Sequence, residues 1–368
     1  MICQTTDTFT MGKEVKFMQT ILPAQQLCAN PFMFQMNIEN PKLLNEWLPL
    51  YLNDISKHIT INTYNNYNSY IFKHILPELG ELTLTELTTP VIKKYIIDKM
   101  DHGRIRINGV DKGLSAKTVK EHYTLLKKAL DKAVEDGEMY FNPCHSISFP
   151  KQIKAEVHPL EQEEQIKLEK HIRSEFKANS AMTAKIALYG GLRNGEICAL
   201  KVKDIDLDRS MISVSKTLYR ASTSIGKTEI IVNKTKNKRE RFVPIPESLL
   251  DDLKTYLSTM PEEMRNNPEQ YLFINQRGKP LEPKRLLCHF KELLKEAGLQ
   301  DIKFHDLRHT FATRCLECGI DMKIVSKILG HSTIQITADL YTHVTNRAMK
   351  NAMSKLAKEN WNNAYQSC

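Results

Sequence analysis

Apolar residues begin to recur at helical spacing from Pro41 onward, where Leu43, Leu44, Trp47, Leu48, Tyr51 and Leu52 share one face. The run from Thr60 to Leu76 repeats the rhythm through Tyr64, Tyr67, Ile71 and Ile75, and Pro77 and Gly80 are expected to end it. Thr88 or Thr89 ahead of Pro90 predicts the N-cap of a third helix reaching Met100. Ser115 predicts the cap of a fourth, with Val119, Tyr123, Leu126, Leu130 and Val134 on one face before Gly137. These segments describe an all-helical domain closed by Asn142-Pro143, and Phe149 to His158 reads as a linker. Residues 1–38, interrupted by Pro23, Asn30 and Pro31, show no periodicity and read as a tail or small appendage.

From Pro159 the pattern changes. Helical stretches over 160–178 and 181–189 lead into Gly190-Gly191-Leu192-Arg193-Asn194-Gly195-Glu196. Ser210 to Thr217 alternates as a strand does, and Glu229–Asn233 and Arg241–Ile245 read as two more strands joined by a basic turn. Helical spacing then returns over 247–258, 283–297, 305–317 and 321–329. The expected fold is mainly α with a small antiparallel β-sheet. Its expected parts are a tail (1–38), a helical domain (39–150), a mixed α+β domain (151–358) and a C-terminal tail (359–368).

A chain of 368 residues suits two domains, and 41% hydrophobic residues allow a real core. No 18-residue apolar run is present, so no transmembrane helix is expected, and the first thirty residues lack a signal-peptide pattern. The eight cysteines are scattered, often among apolar neighbours as Cys198 is, which fits a reducing cytoplasm. The net charge of +9 points weakly to a polyanion. Its distribution says more: Lys227 to Arg241 holds six Lys/Arg against two acids within a segment of β-forming residues.

Singly, the polar residues of the second half are unremarkable; their order is not. Gly191-Leu192-Arg193-Asn194-Gly195-Glu196 resembles the first signature of the tyrosine recombinase, or phage integrase, family. His305-Asp306-Leu307-Arg308-His309-Thr310 resembles the second. Leu329-Gly330-His331-Ser332 followed by Tyr341-Thr342-His343-Val344 resembles the third. Between the first two, Thr235-Lys236 lies eight residues ahead of Val243-Pro244, where the family carries a hairpin lysine. More loosely, residues 40–145 resemble the family's helical core-binding domain.

The resemblance implies two domains clamping duplex DNA, and an enzyme that cuts and rejoins strands through a 3′-phosphotyrosyl ester without metal, ATP or other cofactor. Tyr341 is the implied nucleophile; Tyr219 and Tyr271 sit between motifs and are poorer candidates. Arg193 and Arg308 suit the non-bridging oxygens, since a guanidinium gives phosphate two parallel hydrogen bonds. Lys236 is the implied acid for the leaving 5′ oxygen, His305 an acid/base partner, and His331 a phosphate ligand. Glu196 reads as a buttress beside Arg193. Lys234, Lys238, Arg239 and Arg241, with Lys117 and Lys120 on the fourth helix, read as DNA contacts.

Implied partners are double-stranded recombination sites, three further copies in a synaptic tetramer, and an accessory excision or host DNA-bending factor. The implied location is cytoplasmic, at the nucleoid. Ala348, Met349, Ala352, Met353 and Leu356 form an apolar stripe suited to a neighbouring protomer or to the chain's own core. The lead of about 38 residues favours a mobile-element integrase, phage or conjugative, over a Xer-like chromosome-dimer resolvase. Alternatives are a type IB topoisomerase-like enzyme and a non-catalytic DNA-binding protein. A zinc site from His305, His309, Cys315 and Cys318 is disfavoured because the cysteine pair falls mid-helix with no turn between.

Overall fold

The computed structural model describes residues 40–104, 112–149, 159–174, 178–224, 227–234, 240–299, 302–341 and 353–354. The chain divides into two compact units, Met1–Lys154 and Ala155–Cys368.

The first unit is helical: α1 Leu44–Ile55, α2 Ile61–Tyr70, α3 Leu76–Leu79, α4 Thr89–His102 and α5 Ala116–Glu135. The Glu46 carboxylate accepts the Leu43 N–H at the head of α1, Thr60 caps α2 and Ser115 caps α5. Leu44, Trp47, Leu48, Tyr51 and Leu52 are buried, and the Trp47 indole donates to the Ala129 carbonyl at 2.9 Å, tying α1 to α5. Pro77 does not end the second helical run. A π turn over Ile71–Ile75 joins α2 to α3, with Leu76 N–H bonded to Ile71 O, and the widened turn lets the chain pass through proline. Gly80 closes the run.

One patch of this core is polar. His122 is fully buried, its Nδ1 paired with the Tyr95 hydroxyl at 3.1 Å, and its ring lies 4.9 Å from that of His74. His122 Nε2 and His74 Nδ1 are buried and have no hydrogen-bond partner among the described residues. Burial lowers the pKa of both histidines, His122 to about 4. Lys99, also buried, pairs with Glu78.

The second unit comprises α6 Gln162–Ser174, α7 Ala178–Gly190, α8 Asn194–Ala199, strands β1 Ile205–Asp206, β2 Met211–Val214, β3 Lys216–Ser224, β4 Lys227–Lys234 and β5 Arg241–Pro244, then α9 Glu247–Ser258, α10 Glu262–Arg265, α11 Pro283–Glu296, α12 Phe304–Glu317, α13 Met322–Leu329 and α14 Gln335–Tyr341. α7 packs against α8, α9, α11 and α12, with Ile186, Ala187 and Leu188 in the core.

The strands depart from the sequence expectation. Ser210–Thr217 is not one strand, because Ser215 separates β2 from β3. β2 sits between β1 and β5, Ile212 facing both Ile205 and Val243, whereas β3 and β4 form a separate antiparallel hairpin from Lys216↔Lys234 to Ser224↔Lys227. The basic segment 235–239 therefore does not turn a β4–β5 hairpin; it connects two sheets. The pattern misled because 216–224, with Lys, Arg, Ser and Thr at most positions, has too few apolar residues to announce a strand.

Candidate active site

α7 ends at Gly190, and Gly191, with a φ of +66°, supplies the left-handed residue that stops the helix. A Cβ there would lie 2.6 Å from the Phe311 ring and 2.7 Å from the Leu329 side chain, so glycine is also needed for the approach of α12 and α13. Two residues later Arg193 occupies the N-cap of α8. Glu196, 3% exposed, turns back to accept the Arg193 backbone N–H and its Nη1, both at 2.9 Å. α8 presses on the hairpin at Gly195, where a Cβ would meet Thr217 Oγ1 at 2.6 Å.

The C-terminus of α13 organises the rest. Its last four carbonyls have no partner within a regular helix and must find donors elsewhere. Gly330, at φ +67°, makes a Schellman turn in which His331 N–H reaches Ser326 O and Gly330 N–H reaches Lys327 O, both at 3.1 Å. The remaining two carbonyls accept from guanidiniums. Arg241 Nε donates to Ile328 O at 2.8 Å, and Arg308 Nη2 donates to Leu329 O at 2.7 Å. Two cations at the negative end of a helix also suit its dipole.

Arg308 on α12 is 1% exposed, and its Nη1 donates to Gly191 O at 2.6 Å, so it joins the ends of α7 and α13. Burial, then the charge of Arg193, brings its pKa down to about 9, and it remains a cation at neutral pH. His331 Nδ1 pairs at 2.8 Å with the Oγ1 of Thr337, a fully buried residue of α14. Tyr341 is the last residue of that helix. His305 and His309, one turn apart on α12, stack edge to face at 4.6 Å.

Burial lowers His331 to about 3, helped by Arg308 and Arg193; His309 falls to about 4 through burial and then His305 and Arg308. His305, although exposed, is lowered in the same direction by the protein packed around it, then by Arg308 and Arg193. Arg193, Glu196, His305, Arg308, His309 and His331 thus form one electrostatic neighbourhood. Its neutral imidazoles lie among guanidiniums, a setting that favours an anion.

Lys236, Lys238 and Arg239 lie outside the described residues, and Lys234 ends β4. Most of the apolar C-terminal stripe lies outside them too; Met353 is exposed. Lys117 and Lys120 are exposed on α5 of the first unit. Arg241 does not fit its reading as a DNA contact. Its side chain is 11% exposed, and its donors are directed to Glu196 and Ile328 O. The Cys315–Cys318 pair is not mid-helix either: Cys318 is the C-cap of α12. Among the described residues no group of three or more His, Cys, Asp or Glu is placed to hold a metal.

Sequence reasoning missed Thr337 and the internal use of Arg241. A threonine four residues ahead of Tyr341 was a visible signal, but the partner of Arg241 depends on which strands pair. Asp306, unremarked within its motif, accepts the Lys303 N–H at 2.8 Å and caps α12.

The phage integrase family model matches residues 158–347, and a phage integrase N-terminal SAM-like domain matches 43–100. The chain belongs to the phage integrase family of tyrosine recombinases. It is 33% identical over 265 residues to a tyrosine recombinase XerC-like protein of Caldanaerobacter subterraneus subsp. tengcongensis, spanning 66% of this chain and 66% of that relative's length. It is 31% identical over 225 residues to tyrosine recombinase XerA of Pyrococcus furiosus, spanning 60% of this chain and 67% of XerA. In fold it is similar to the Tn1549 transposon integrase solved with a circular-intermediate DNA, with TM-score 0.68, 22% identity, and coverage of 85% of this chain and 100% of that one. A lambda integrase dimer bound to a core site gives TM-score 0.62, 21% identity, and coverage of 83% and 97%. This family membership accounts for the mainly helical architecture with small antiparallel sheets. Among the described residues no helix is long and apolar enough to cross a membrane.

Proposed function

We propose that this phage integrase family member is a site-specific DNA recombinase that integrates and excises a mobile element. The observation that carries the reading is the meeting of Arg193, Arg308 and His331 at the shared ends of α7 and α13, with α14, the helix ending in Tyr341, hydrogen-bonded to His331 through Thr337.

Phosphodiester exchange needs a nucleophile, charge stabilisation on the non-bridging oxygens and a proton for the leaving oxygen. The Tyr341 oxygen attacks phosphorus, forming a 3′-phosphotyrosyl ester as the bond to the 5′ oxygen breaks. Lys236 delivers the proton to that oxygen. Arg193 and Arg308 stabilise the charge gathering on the phosphoryl oxygens, and His331 donates to one of them, with His305 as the acid/base partner of the tyrosine. A 5′-hydroxyl from a second duplex then attacks the ester, releases Tyr341 and completes the exchange. One ester replaces another at each step, so the proposal needs no metal, ATP or other cofactor.

In this reading the helical unit, 39–150, and the catalytic unit, 151–358, both bind the duplex, and four protomers act on two paired sites. Lys117 and Lys120 of the first unit contact phosphates, as do Lys234, Lys238 and Arg239 of the second. An accessory excision or DNA-bending factor sets direction, and the protein works at the nucleoid. Likeness of fold to transposon and phage integrases supports the mobile-element role. A second reading, resolution of chromosome dimers, is favoured by the identity with Xer-type relatives.

A plasmid carrying the DNA that flanks the gene on both sides separates the two. Excision of a circle bearing the joined ends, in the presence of wild-type protein but not Tyr341→Phe, supports the integrase reading. Reduction of plasmid dimers to monomers at a single site, with no excised circle, would replace it with the resolvase reading.

A further inference from the structure

The proposal concerns Arg241 and rests on the recombinase reading above. β5 is held in register by β2, with Val214 opposite Arg241, so the arginine leaves a fixed strand rather than a loop. Its guanidinium makes a fork: Nη1 to Glu196 Oε1 at 3.0 Å and Nη2 to Glu196 Oε2 at 2.7 Å. The third donor, Nε, takes Ile328 O at 2.8 Å. The side chain passes directly over Gly330, where a Cβ would come within 2.9 Å of its Cδ. The glycine ahead of His331 thus serves the left-handed turn and also leaves room for this arginine.

Glu196 is the shared partner. It is a buried carboxylate, and burial alone would push its pKa up; the bond and charge of Arg241, then Arg193, hold it at about 2. A charged Glu196 is what fixes the Arg193 backbone and guanidinium. The same arginine therefore reaches the Arg193 anchor and the helix end from which His331 projects.

We propose that Arg241 is a positioning residue for strand cleavage, joining Glu196, and through it Arg193, to the α13 cap that presents His331. It does not touch DNA.

Arg241→Met, Arg241→Lys, Glu196→Gln and the double variant Glu196→Gln/Arg241→Met are compared with wild type on a nicked suicide duplex. The single-turnover rate of covalent adduct formation is read at saturating DNA, with equilibrium affinity and its salt dependence measured beside it. Arg241→Met lowers the rate at least tenfold, while affinity and the slope of log affinity against log salt stay as in wild type. Glu196→Gln does the same, and the double variant is no slower than the worse single by more than about twofold, because both changes break one linkage. Lysine keeps the charge but has no fork to span both Glu196 oxygens and Ile328 O, so Arg241→Lys recovers only part of the rate. If the methionine variant does not fold, the lysine variant carries the test, with reduced rate at unchanged affinity.

A salt slope smaller by about one with a wild-type rate at saturation would make Arg241 a phosphate contact and overturn the proposal. Losses that multiply in the double variant, or a wild-type rate in both Arg241 variants, would overturn it too. A wild-type protein that forms no adduct with any variant or site would instead overturn the recombinase reading beneath it.

Discussion

The two units bury polar groups in opposite ways. In the helical unit His74 and His122 sit ring to ring, each with a nitrogen that has no partner among the described residues, in a mainly apolar core whose one buried cation, Lys99, pairs with Glu78. In the catalytic unit Arg308 and Glu196 are buried more expensively, as charges, yet their donors and oxygens meet carbonyls and guanidiniums from the ends of α7, α8, α13 and β5. A buried charge is tolerated only when fully paired, and removing one partner leaves the others exposed to that cost. The comparison teaches that one unit is a shape held by apolar packing, and the other an electrostatic device held by helix ends.

The largest effect that sharpens this contrast is at Arg308. Arg308→Ala leaves Gly191 O and Leu329 O without their donor and removes a cation from the phosphate site. Adduct formation is expected to fall by ~10²–10³-fold or more, and the catalytic unit to lose about 3 kcal/mol or more of stability. Urea titration checks the second part. Near-wild-type cleavage would remove Arg308 from the site.

Acid distinguishes the units next. His122 takes up its proton at about 4 in the folded chain, against 6.5 for the unbound group. The unfolded chain binds the proton first as pH falls, so stability declines from about pH 6.5 toward pH 4. The expected loss in the helical unit between pH 7 and pH 5 is about 2 kcal/mol, with His74 shifted in the same direction. Trp47 fluorescence in a Trp361→Phe background reports it, and His122→Gln flattens the dependence. His331 and His309 are lowered as well, but partly by guanidinium charge. A bound duplex therefore offsets the acid sensitivity of the catalytic unit and leaves that of the buried His74–His122 pair in place. A pH-independent Trp47 transition would contradict the first half of this account.

The smallest effect is at the exposed lysines of α5. Lys117→Ala and Lys120→Ala each weaken DNA binding modestly and reduce the salt slope by about one, without altering the cleavage rate at saturation. A slowed rate at saturation would show that the helical unit does more than hold DNA.

The longer helices of both units were legible because their apolar positions repeat, helped by capping residues at Thr60, Ser115 and Asp321, whereas the short α8, α10 and α14 were not expected. The passage through Pro77 was not, since a π turn has no side-chain signature of its own. The pairing of β2 with β5 was hidden because register depends on contacts 27 to 33 residues apart in sequence, from Val214↔Arg241 to Met211↔Pro244. At the candidate site the order of motifs singled out Arg193, Arg308 and His331, which the fold brings into one neighbourhood. The supports of Arg308, Gly191 O and Leu329 O, are main-chain atoms that no residue type announces. For the same reason Arg241 read as one more cation in a basic run, although the fold turns it inward.

The central claim is a covalent tyrosine, and a nicked suicide duplex built from the gene's flanking DNA tests it most directly. Wild type and Tyr341→Phe are incubated with it, resolved under denaturing conditions, and compared for affinity beforehand. The account predicts equal binding and a protein–DNA adduct in wild type alone. An adduct of equal yield in Tyr341→Phe would contradict it and assign the nucleophile to another residue.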